Sequence, residues 1–134
     1  MKKYIKLFLL VLCMIFIFYL SHDNGVESTK KSDFVLHFFT NDYDSYVFLI
    51  RKSAHAFLYF LLGFLMINYL SELSISSKIL LSILFCVFYS ITDEIHQTFL
   101  IGRSGEITDV VLDSIFSVIG IYFYHFIHKR RGEL

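Results

Sequence analysis

Three groups of residues in this chain have the right types and spacing to do chemistry. The first holds Arg51, Lys52, His55 and Tyr59, the second Asp93, Glu94, His96 and Gln97, and the third Arg103, Glu106, Asp109 and Asp113. A carboxylate beside an imidazole can orient the ring and move a proton. A guanidinium can fork onto phosphate or carboxylate. The roles that follow are Arg51 and Arg103 as anion anchors, His55 and His96 as proton carriers, and Asp93, Asp109 and Asp113 as their orienting partners. Lys52, Tyr59, Glu94 and Gln97 then complete the contacts to a bound group.

Helical spacing gives these residues a common direction. Arg51, His55 and Tyr59 lie four apart and share a face, as do Tyr89, Asp93, His96 and Gln97, and again Asp109, Asp113, Ser117 and Gly120. The helices that carry them are otherwise apolar: the uncharged windows are Leu7 to His22, Ser53 to Ser71, Ile79 to Thr92 and Ser114 to His128. A bilayer core of about 30 Å asks for about 20 such residues, so the third and fourth windows reach full length only with the neighbouring acids inside the helix. Spans over about 4–21, 51–71, 78–98 and 107–128 are expected. The fold class is all-α, a polytopic membrane protein of four transmembrane helices in a bundle. With short turns, the start of span two, the end of span three and the start of span four emerge together. A lipid-facing charge costs several kcal/mol, about 3 on insertion scales, so the three stripes should turn inward to a polar pocket at the extracytoplasmic end.

Composition agrees. The chain of 134 residues is 56% hydrophobic and only 18% charged, against about 25% charged in soluble domains, and its mean hydropathy is +0.62. Stretches such as Ala56 to Ile67 and Ile79 to Ile91 lack the polar stripe of about 3.6 residues that a small soluble helical core needs. Twelve basic residues balance twelve acidic ones, leaving no basic field for nucleic acid. Cys13 and Cys86 sit inside apolar runs and read as packing residues. No metal or other cofactor is expected: Asp93-Glu94-Ile95-His96 lacks His-Glu-x-x-His spacing, and Arg51, Lys52 and Arg103 would repel a dication.

Lys2, Lys3, Lys6, Lys78, Lys129, Arg130 and Arg131 share one side in a four-span chain, which the positive-inside rule makes cytoplasmic along with both termini. The amino-terminal run resembles a signal peptide but closes on no small-x-small triplet, so an uncleaved first span is expected. The connection from Ser21 to Ile50 is rich in aromatic residues, among them Phe34, Phe38, Phe39, Tyr43, Tyr46 and Phe48, and is expected in the headgroup layer. The link from Thr98 to Glu106 reads as a tight turn presenting Arg103, with Thr108 or Asp109 capping the last helix. Three readings of the polar stripes stay open: an acid-base site, a binding site for an anionic headgroup, and a structural ion-pair network that clamps helices.

Arg51-Lys52-x-x-His55-x-x-x-Tyr59 followed by Leu62-Gly63, then Tyr89-x-x-x-Asp93-Glu94-x-His96-Gln97, Gly102-Arg103-Ser104-Gly105 and Asp109-x-x-x-Asp113 together resemble the pattern of the VanZ-like family. Phe18-Tyr19-Leu20-Ser21 at the end of span one also fits. Leu58, where members often carry an acidic or polar residue, and Phe116, where many carry glycine, depart from it. The resemblance implies a small bacterial multi-pass cell-membrane protein similar to the accessory protein that lowers susceptibility to the glycopeptide teicoplanin. Its implied partners are the bilayer and a lipid-linked cell-wall precursor or other anionic headgroup at the outer leaflet, and it implies no particular reaction.

Overall fold

The computed structural model describes residues 3–22, 43–100 and 105–130, with the side chains of 43–48 and 51 outside that description. The described residues form four α-helices: α1 (Lys3–His22), α2 (Tyr43–Tyr69), α3 (Ile75–Thr98) and α4 (Ile107–Arg130). α1, α3 and α4 are each long and apolar enough to cross a bilayer. At 1.5 Å rise per residue, the 24 residues of α3 or α4 reach about 36 Å. α2 is longer, at 27 residues, and carries Arg51, Lys52, His55 and Asn68 within it.

The expected start of the second helix at residue 51 moves back to Tyr43, since no glycine or proline interrupts 43–62. The rest of the long connection, 23–42, lies outside the described residues. α2 and α3 are joined through Leu70–Ser74, where the Ser74 carbonyl accepts the first helical bond from the Lys78 amide at 2.9 Å. No proline occurs anywhere in the chain.

α3 is apolar outside and polar inside. It buries Lys78, Ser82, Cys86, Ser90, Asp93, Glu94 and Gln97, and exposes Leu80, Leu81, Leu84, Phe88, Ile91 and Ile95. In water this arrangement would bury the costly groups and hydrate the apolar ones; in lipid it is the favourable order. Exposed Phe8, Ile15, Phe57, Ile107, Ile119 and Phe123 carry the apolar belt around the other helices.

α2 packs against all three other helices, and most extensively against α4. The closest approach is glycine on backbone: a Cβ on Gly63 would collide with the Ser117 carbonyl of α4, and one on Gly120 with the Phe60 carbonyl of α2. Small residues are what allow helices to meet this closely where lipid supplies no hydrophobic drive. Phe116 therefore does not prevent close packing, because Gly120 one turn later provides it. Around this seam Leu10, Cys13 and Ile17 of α1, Leu58, Tyr59 and Leu62 of α2 and Cys86 of α3 form one core cluster, while Ile67, Ile121 and Tyr124 form another. Cys13 and Cys86 are both buried free thiols, as their apolar surroundings predicted.

Candidate functional site

At the end of the bundle where α1 and α3 finish and α2 and α4 start, polar side chains from all four helices converge on two carboxylates. Asp93 Oδ2 accepts from Ser21 Oγ at 2.8 Å and Gln97 Nε2 at 3.3 Å, and lies 3.1 Å from His55 Nε2. The same His55 nitrogen lies 3.6 Å from Asp113 Oδ2, which also receives Ser90 Oγ at 3.4 Å. Asp93 and Asp113 are each 4% exposed. The expected meeting of the three stripes therefore occurs, with His55 between the acids of α3 and α4.

This geometry assigns work to the two imidazole nitrogens. Nε2 lies beside carboxylate oxygens of both acids, so it carries the proton in the neutral ring, and Nδ1 is the basic nitrogen. Ser21 donates to Asp93 rather than to the imidazole, so it is not arranged as an activated nucleophile. Beside the cluster Tyr59 is fully buried, its ring centroid 5.3 Å from that of His55. Two buried atoms here have no hydrogen-bond partner: the Tyr59 hydroxyl and Asp93 Oδ1. One oxygen of Asp93 thus serves three neighbours while the other serves none.

The remaining sequence-predicted residues divide by position. Lys52 Nζ lies 2.5 Å from Asp109 Oδ1 and 3.5 Å from Glu106 Oε2, forming an ion-pair group nearer the surface. Glu94 is buried, and its Oε1 accepts from the Glu106 backbone amide at 2.5 Å, tying the start of α4 to α3. α4 begins at Ile107, so Thr108 and Asp109 fall in its first turn rather than at its cap, and Asp109 is occupied by Lys52. Gly105 lies close against the end of α3, since a Cβ there would stand 2.5 Å from Thr98 Cγ2. His96 lies apart from His55: its Nε2 is 3.2 Å from His22 Nδ1, and its ring packs on Phe18 at 4.6 Å. The Arg51 side chain and Arg103 lie outside the described residues. Among the described residues no group of three or more metal-ligating side chains forms.

Sequence reasoning did not place Ser21, His22 or Ser90 in the site. The signal for Ser21 was present, because Leu10, Cys13, Ile17 and Ser21 recur at three- and four-residue steps and bury one face of α1. Ser90 likewise continues the buried series Ser82, Cys86. Tyr89, placed on the polar stripe, instead donates to the Met14 carbonyl at 2.8 Å and anchors α3 to α1.

Comparison with known proteins adds one match: the family model described as VanZ/LLP1 covers residues 6–128, nearly the whole chain. No curated protein and no solved structure matches.

Proposed function

The chain belongs to the VanZ/LLP1 family, and on that footing we propose that it is a four-span membrane protein, both termini cytoplasmic, whose carboxylate and histidine cluster binds or modifies a polar cell-envelope component or lipid-linked wall precursor at the outer leaflet. By this action it contributes to lowered teicoplanin susceptibility. The observation that carries the reading is the pair of partnerless buried atoms beside His55. A network whose only task is to clamp helices satisfies its own polar groups, whereas here the Tyr59 hydroxyl and Asp93 Oδ1 require a donor and an acceptor from elsewhere. A hydroxyl or amide of a sugar or peptide supplies both. With Nε2 oriented by Asp93 and Asp113, His55 Nδ1 is the group suited to take a proton from such a ligand.

The test compares teicoplanin susceptibility in cells expressing the parent, His55→Ala or Arg103→Gln, with membrane abundance measured in parallel. Normal abundance with protection lost in His55→Ala supports proton transfer. Protection lost only in Arg103→Gln supports binding without chemistry. If the histidine variant reduces abundance as much as it reduces protection, the cluster is a clamp and the proposal fails.

A further inference from the structure

The opposite end of the bundle has the reverse electrostatic problem. Lys78 is 3% exposed, yet among the described residues it forms no hydrogen bond or ion pair through its ammonium. One turn further along the same face, Ser82 Oγ is buried without a partner. Lys6 Nζ, also at this end, donates to the Asn68 carbonyl at 3.0 Å and to Ser71 Oγ at 2.6 Å, both of them neutral acceptors. Glu72, the carboxylate described at this end, is exposed on the α2–α3 connection and pairs with neither lysine. His125 on α4 adds a further buried nitrogen, Nδ1, with no partner. The carboxylates gather at the other end, around His55 and Lys52.

We infer that this basic end, centred on Lys78, holds the anionic phosphodiester headgroup of a phospholipid from the adjoining leaflet. A lysine enclosed to 3% exposure, with no counter-charge among the described residues, holds its charge at a poorly hydrated place, and an anion is the partner that relieves it. Lysine serves as a point charge for phosphate, and Ser82 Oγ can donate to the same group. The ligand is a lipid rather than a free anion because the surface beside Lys78 is apolar and exposed, with Ile75, Leu80 and Leu81 positioned to carry acyl chains. Exposed Lys129 and Arg130 at the end of α4 strengthen the attraction of an anionic leaflet. Basic recesses between transmembrane helices are recurrent sites for such headgroups.

The experiment uses the purified full-length chain in a neutral detergent. Native mass spectrometry and thermal unfolding are followed on adding dioleoylphosphatidylglycerol, dioleoylphosphatidylcholine or inorganic phosphate, for the parent, Lys78→Gln and Lys78→Arg. Expected are preferential retention of phosphatidylglycerol by the parent and by Lys78→Arg, a rise in Tm with that lipid, and at least about a fivefold fall in its occupancy in Lys78→Gln. Equal phosphatidylglycerol occupancy in the parent and Lys78→Gln overturns the inference. Inorganic phosphate raising Tm as much as phosphatidylglycerol does overturns the lipid assignment. If Lys78→Gln does not accumulate, the parent alone decides, because equal retention of the zwitterionic and anionic lipids rejects the site.

Discussion

Single atoms at the site separate a stabilising role from a functional one. The Tyr59 hydroxyl is buried and makes no hydrogen bond, so removing it deletes an unsatisfied group while leaving the packed ring in place. Tyr59→Phe should therefore leave Tm unchanged or slightly raised, while lowering protection against teicoplanin if the hydroxyl meets a ligand. Thermal unfolding in detergent and susceptibility, measured on the same variant, check both halves. Asp93 is the opposite case, because its Oδ2 gathers Ser21, His55 and Gln97. Asp93→Ala strands those donors in the interior and should cost about 1–3 kcal/mol or more, seen as a lower Tm and reduced abundance. Asp93→Asn keeps an acceptor oxygen and should retain most of that stability while losing function. The histidine stripe was legible from spacing, but which histidine meets Asp93 was not. His55 and His96 carry the same pattern in sequence, and only helix rotation sends His96 to His22 instead.

At the level of elements, the α2–α4 seam holds the site together, since His55 and Asp113 reach one another across it. Gly63 and Gly120 permit that approach by placing each helix against the other's carbonyl oxygens. Those obstacles are backbone, so they cannot rotate away. Gly63→Ala or Gly120→Ala should separate the helices and destabilise the protein by about 1–3 kcal/mol. The double variant should fall short of the sum, because the first separation already makes room for the second methyl. Tm values of the two single variants and the double provide the cycle. The helices themselves were legible, within a few residues for α1, α3 and α4, because their apolar windows end at charged or turn-forming residues. The early start of α2 was not, because the aromatic residues from Tyr43 to Phe48 suit a headgroup-layer loop and a helix equally well.

For the whole molecule, the distribution of charge along the bundle axis is the main organising feature. Carboxylates collect where α3 ends and α4 begins, and Lys3, Lys6, Lys78, Lys129 and Arg130 collect at the other end. The basic end is the one that the positive-inside rule retains in the cytoplasm. The corresponding prediction uses Arg103→Cys in a background with Cys13 and Cys86 replaced by serine. An impermeant thiol reagent should label it in intact cells, and labelling only after lysis reverses the orientation. Membrane character, in contrast, is visible in the structure directly, because α3 turns Lys78, Asp93 and Glu94 inward and Leu84, Phe88 and Ile95 outward.

From the sequence alone came the helical class, the membrane environment and the convergence of three polar stripes, because each depends on periodicity and on the cost of placing charge in lipid. Tertiary structure alone decided which atoms pair. Pairing depends on helix rotation and on close separations, and Gly63 and Gly120 set these through contacts between helices far apart in the chain. The same packing brought Ser21 to Asp93, divided the two histidines, and enclosed Lys78.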